Sequence, residues 1–348
     1  MYRFLILTRG LEERFERLFK QGKIVGGLYR SLGQEATAVG SAMALRDGDW
    51  LAPSIRDLGA LLVRGLDPCD SLLQYMARDG SLCAGKDNTN HFTVPDLGIL
   101  GPVSPLGTQL CVLNGVALAF KKRGEPRVCM TYQGEGATRT GASHEGLAFA
   151  AALRLPIVVI VEHNRWAFST RSTSVAAVAE WTDTARAYGM PAIGVDGNDV
   201  VAVYEASIEA VDRARAGGGP AMIVAETYRM LGHAQHDPQT YVPPEELGQW
   251  RARDPIPRFA RDLLEAGRAT EDTLRAIRDE VEAELDRAVD RALAAGMPDA
   301  SQARTRAYAE PEPDVTPWTR TSPVGYADLE VLAGSDALRR ASVVEGAP

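Results

Sequence analysis

The sequence predicts an α/β fold built on a doubly wound parallel sheet with flanking N- and C-terminal helices, and three features carry that prediction. Strand-length segments that are almost wholly apolar recur at "RVCMTY", "LPIVVIVEHN", "AIGVDG" and "MIVAETYR". Helix-forming stretches separate them, at residues 143–153 and again where Val200, Val203, Tyr204, Ile208 and Val211 share one face before the glycines at 217–219. Strands that are apolar on both sides, spaced by helices, belong to a parallel sheet covered on both faces.

The elements follow in order. Leu7, Leu11, Phe15, Leu18 and Phe19 lie on one side of an N-terminal helix that stops near Gly22, giving a helical arm over residues 1–34. The α/β domain spans residues 35–230. Beyond it "GHAQHDPQTYVPPEELG" has three prolines and no periodicity, so it reads as a long loop or lid. A helix capped by Thr270 and running to Ala295 completes a segment of active-site loop and C-terminal helices at residues 231–299. Spaced prolines and thin apolar content make residues 300–348 an extended tail.

Composition narrows the function. The 348 residues, 45% of them hydrophobic, can bury a large core. No apolar run is long enough to cross a bilayer, and the first thirty residues do not build a signal peptide, so a cytoplasmic protein with no membrane partner is expected. A net charge of -8 argues against nucleic acid and for small molecules and proteins as partners. Cys69, Cys83, Cys111 and Cys129 form no C-x-x-C and read as free thiols.

The chemistry concentrates after two strands. Glu135 stands in a Gly-Glu-Gly turn at the carboxyl end of one strand, and Asn164 stands at the end of the next, 29 residues later. In open parallel sheets ligands bind beyond these ends. Small neighbours and a following helix N-terminus suit phosphate, whereas a carboxylate repels it unless a cation lies between; magnesium resolves the conflict. Taken alone, these two residues read more readily as a turn glutamate and a strand-end Asn capping a turn, because short glycine motifs recur by chance.

The spacing and the flanking text, "GEGATRTGASHEGLAFAAALRLPIVVIVEHNRWAFST" together with "GLYRSLGQEATAVGSAMAL", "IRDLGALLVRGLDP", "GPVSPLGTQL", "VDGNDVVAVYEA" and "ETYRMLGHAQHDPQTY", resemble the alpha subunit of the thiamine diphosphate-dependent first component of the 2-oxo acid dehydrogenase complexes. The likeness runs from about residue 5 to 267. It implies the thiamine diphosphate-binding fold, with magnesium held by Glu135, Asn164 and the carbonyl of Trp166, and with Gly136 and Ala137 against the cofactor. Arg56 would reach the diphosphate, although Ile55 replaces the tyrosine usual before it. Ser104 and Leu106 would bracket the cofactor rings, Leu106 as the wedge that bends it; a core leucine is the other reading. His233 would be the catalytic histidine near the diphosphate and the substrate entrance. Ala234 stands where relatives carry a phosphorylatable serine, removing that switch. His236, Asp237 and Tyr241 would scaffold the loop, Thr108 and Gln109 would bind potassium, and His144 and His163 would be structural. His91 lies in "GKDNTNHF", which departs from the usual glycine-rich form.

The resemblance further implies an incomplete chain. A beta subunit would supply the glutamate that activates the cofactor, in an assembly of two alpha and two beta subunits. The acyl group would pass to the lipoyl arm of an acyltransferase component. "SPLGTQ" and Gly-Glu-Gly lean toward branched-chain 2-oxo acids, "LYRSLGQEA" and "HDP" toward pyruvate or acetoin. An acetoin dehydrogenase alpha subunit, or a non-catalytic or recruited scaffold, is the alternative.

Overall fold

The computed structural model describes residues 1–305. Eleven α-helices and seven strands are formed among them. Helix α1 (Tyr2–Lys20) buries Leu7, Leu11, Phe15 and Leu18 and ends before Gly22, whose φ of 70° suits a residue without a Cβ. Helix α2 (Glu35–Ala42) is buried on all sides. Strand β1 (Trp50–Ala52), helix α3 (Leu58–Val63) and helix α4 (Pro68–Tyr75) follow; Asp67 caps α4 by accepting from the Cys69 amide, ahead of a proline that needs no donor.

Helix α5 (Thr108–Arg123) leads to β2 (Cys129–Gly134), α6 (Gly141–Ala152) and β3 (Ile157–His163). A small hairpin, β4 (Trp166–Ala167) with β5 (Thr170–Arg171), and the short α7 (Asp183–Arg186) precede β6 (Ala192–Asp196), α8 (Val200–Arg215) and β7 (Ala221–Glu226). The chain continues through α9 (Pro244–Arg251), α10 (Pro255–Glu265) and α11 (Glu271–Ala294), the last capped by Thr270 as its sequence predicts.

The five-stranded sheet is parallel, in the order β1-β2-β3-β7-β6. Alternate residues of its central strands face opposite sides. Val158 and Ile160 join Met130 and Ile223 in a core roofed by α1, α3, α4, α8 and α11, while Ile157, Val159 and Val161 join Leu110, Leu113 and Leu147 under α5 and α6. This double covering is why the strands are apolar throughout. Register matters most for function. Gly134 pairs with Glu162, and His163 pairs with Glu226, so the residues just beyond β2, β3 and β7 emerge side by side.

Two elements differ from the sequence expectation. Strand β1 has only three residues and too little pattern to be read, and α9 starts inside the stretch expected to be loop. Pro244 occupies the first turn of α9, where a missing amide costs nothing, with Glu245 and Glu246 favourably placed at the positive helix end. All four cysteines are free, as expected. Among the described residues no helix is long and apolar enough to cross a membrane. A separate compact unit begins at Asp299; its described part is a 3-10 turn, Ala300–Arg304, and the tail expected beyond residue 305 lies outside the described residues.

Candidate functional site at the strand ends

The register just described brings Glu135 and Asn164 together. The Asn164 amide donates to Glu135 Oε2 at 3.3 Å, and the Glu135 and Asn164 amides both donate to the Glu162 carbonyl. Glu135 is buried and its Oε1 has no hydrogen-bond partner; burial raises its pKa. Asn164 donates from Nδ2 to Gln34 Oε1 at 2.9 Å, which fixes the amide so that Oδ1 faces Trp166, whose amide donates to it at 3.2 Å. An orphaned carboxylate oxygen on Glu135 and an oriented amide oxygen on Asn164, the residue whose backbone bonds that carboxylate, are donors of the hard-oxygen kind that magnesium takes. Among the described residues no three His, Cys, Asp or Glu side chains gather as a metal cluster.

Two buried guanidinium groups face the same ends. Arg56 reaches the carbonyl of His233 at 2.5 Å and its Nδ1 at 3.1 Å. Arg229, two residues into the loop after the Thr227 that follows β7, donates to the carbonyls of Leu231, Trp166 and Phe168 and to the Tyr241 hydroxyl. Both cations are thus bonded to neutral acceptors. Burial, reinforced by Arg229, lowers the Arg56 pKa to about 10, and burial lowers that of Arg229 as well. Positive charge held this way, without a carboxylate hydrogen-bonded to either group, favours an incoming anion.

His233 completes the arrangement. Its ring lies edge-on to Phe168 at 4.5 Å and to Tyr29 at 5.4 Å, and burial followed by the charge of Arg56 brings its pKa down to about 4. It is therefore neutral near pH 7. The loop that carries it is tied by Asp237, which accepts from the His233 amide at 2.7 Å, the Gln239 amide at 2.9 Å and the Tyr241 hydroxyl at 2.6 Å. His236 is exposed. Ala234 is buried beneath the loop.

The remaining sequence candidates divide. Gly136 lies where an added Cβ would meet Ala167 Cβ at 2.6 Å, so the turn and the β4–β5 hairpin interlock only with glycine there; Ala137 is buried next to it. Ser104 is exposed, and Leu106 is 60% exposed, which rules out the core reading of that leucine. Gln109 is buried and spends its Nε2 on the carbonyls of Pro53 and Gly101, while Thr108 is half-buried at the start of α5. Ile55 is half-buried beside Arg56. His91 lies 3.5 Å from Asp87, and His144 bonds Tyr188. His163 bonds Glu226 at 2.7 Å and Ser172 at 3.1 Å, a fully partnered structural ring.

Sequence reasoning missed Arg229, Gln34, Tyr29 and Phe168. The signal for Arg229 was its place three residues past the end of an apolar strand. It also missed a buried acid pair below the site: Asp57, its pKa raised by burial to about 6, and Glu162, raised well above the carboxylate range by burial and by Asp57.

Comparison with known proteins gives this chain a family. The model of the dehydrogenase E1 component matches residues 2–301. The chain belongs to the dehydrogenase E1 component family. Membership implies thiamine diphosphate as cofactor and, for an alpha chain, a beta subunit as partner. Relatives include the alpha subunit of acetoin:2,6-dichlorophenolindophenol oxidoreductase from Cupriavidus necator, 35% identical over 309 residues that cover 88% of this chain and 93% of that one. The alpha subunit of the pyruvate dehydrogenase E1 component of Rhizobium meliloti is 34% identical, covering 90% of this chain and 86% of its own. The alpha subunit of 3-methyl-2-oxobutanoate dehydrogenase of Mycobacterium tuberculosis is 39% identical over 77% of this E1 chain and 70% of its own.

Proposed function

We propose that this chain is the alpha subunit of a 2-oxo acid dehydrogenase, holding the magnesium and diphosphate half of a thiamine diphosphate site that a beta subunit completes. The observation that carries the reading is the contact of Glu135 with Asn164 at adjacent strand ends, with one Glu135 oxygen left unpartnered. Glu135, Asn164 and the Trp166 carbonyl would hold magnesium. Arg56 would meet the diphosphate, Gly136 and Ala137 would let it approach the backbone, and Ser104 and Leu106 would flank the rings. Thr108 and Gln109 are candidate potassium ligands.

When bound, thiamine diphosphate supplies the carbon nucleophile and the electron sink for loss of carbon dioxide. The chain's own residues neutralise, orient and exclude water. Neutral His233, against Arg56, offers a ring nitrogen that can hydrogen-bond phosphate or substrate without adding charge. A partner surface is supported by apolar side chains left exposed: Leu106 just before α5, Val112 on α5 and Phe149 on α6. Two alpha and two beta subunits, with transfer of the acyl group to a lipoyl acyltransferase component, complete the reading.

Acetoin is the second substrate considered, because two relatives at 35% and 36% identity are named for it. Co-expression with the cognate beta chain and assay of pyruvate, 3-methyl-2-oxobutanoate, 4-methyl-2-oxopentanoate and acetoin decides between them. Turnover of a 2-oxo acid supports the reading; turnover of acetoin alone replaces it, and turnover of none defeats it.

A further inference from the structure

We propose that Phe168 is a specificity-determining residue, a wall of the pocket that receives the substrate's acyl substituent. The inference rests on the function proposed above. Phe168 and Ser169 form the two-residue loop of the β4–β5 hairpin, whose ends pair Ala167 with Thr170. Phe168 has φ 54°, in the left-handed region, at the first loop position, where turns of this kind strongly favour glycine. A bulky residue there costs on the order of 1 kcal/mol or more in the backbone. Burial does not offset that cost in this chain, because Phe168 is 53% exposed.

Neighbouring groups hold the backbone of this residue in place. Arg229 Nη2 donates to the Phe168 carbonyl at 2.6 Å, and the preceding Ala167 packs on Gly136 of the Glu135 turn. The ring meets the edge of His233 at 4.5 Å, with Tyr29 on the same histidine at 5.4 Å and Arg56 bonded to it. Phe168 is therefore an apolar wall one side chain away from the group that faces the diphosphate half of the site. A strained, exposed aromatic ring fixed at this position selects by size: it narrows the room for the substituent on the keto carbon. The substrate class is a 2-oxo monocarboxylic acid with a short apolar substituent.

The test uses the assembled alpha-beta enzyme with F168A and F168L, and F168G as a variant whose backbone accepts the left-handed turn. The ratio of kcat/KM for 4-methyl-2-oxopentanoate to that for pyruvate should rise at least tenfold in F168A and F168G and less in F168L. Magnesium-dependent thiamine diphosphate affinity, by calorimetry, and the mass of the assembly should stay as in wild type. A ratio within twofold of wild type overturns the assignment. So does loss of assembly in all three variants, which makes the ring a contact for the beta chain. An active wild type with an unchanged ratio removes Phe168 alone, whereas a wild-type assembly inert toward every 2-oxo acid removes the proposed function and the role of Phe168 with it.

Discussion

His233 is held by two aromatic edges and a guanidinium, and its neutrality can be measured. With five histidines in the chain, its ring proton can be assigned by substitution and titrated by NMR. A pKa near 4, well below the ordinary 6.5, is expected in the folded chain. The unfolded chain protonates first as pH falls, so the contribution of His233 to stability is intact above pH 6.5 and declines toward pH 4. H233Q should lack that component of the slope, and a His233 pKa near 6.5 would contradict the packing described. In the assembled enzyme H233A should lose at least about tenfold in kcat/KM, equivalent to ~1.4 kcal/mol, with H236A much less affected. Glu135 and Asn164 were legible as a pair because each directly follows an apolar strand, 29 residues apart. Arg229, Tyr29 and Phe168 were not, because what defines them is contact with His233 or with the Trp166 turn from distant parts of the chain.

Helix α1 and the Glu135 turn show how whole elements position these side chains. Glu12 on α1 accepts the Ser31 amide on both oxygens at 2.8 Å, clamping the segment that presents Tyr29 and Gln34. Burial, followed by the charge of Glu35, raises its pKa to about 8. Its contribution to stability is therefore largest below pH 4.5 and is lost as pH rises to 8, since the unfolded chain gives up the proton first. E12Q keeps an acceptor for Ser31 and should exceed wild type at pH 9 by at least about 1 kcal/mol in urea unfolding. An advantage independent of pH would show that ionisation is not the cause. G136A sets two Cβ atoms 2.6 Å apart, so it should destabilise by ~1–3 kcal/mol and weaken cofactor binding; an unchanged Tm would mean that the hairpin moves freely. The long central strands were legible because burial on both faces leaves an unbroken apolar run. Strand β1 was hidden by its brevity, and α9 by prolines that mark a helix start as readily as a loop.

At the scale of the molecule, the doubly wound sheet was readable from alternation alone, but the position of the site required register. Gly134 opposite Glu162 and His163 opposite Glu226 are pairings of strands joined by long crossovers, and no local pattern reports them. On the proposed function the chain holds half of a site: Arg56 and Arg229 are buried near the strand ends, while Leu106, just before α5, is left exposed. The purified chain should therefore decarboxylate no 2-oxo acid until its beta chain is added, and turnover in a preparation shown free of a partner would refute the shared site. The central claim is that Glu135 and Asn164 hold the metal that neutralises the diphosphate. It is tested most directly by calorimetry of thiamine diphosphate binding to the assembled enzyme with and without magnesium, in wild type and in E135A. The account predicts that magnesium strengthens binding in wild type and that E135A loses at least tenfold in affinity together with most of that dependence. An E135A assembly with the affinity and magnesium dependence of wild type would contradict it.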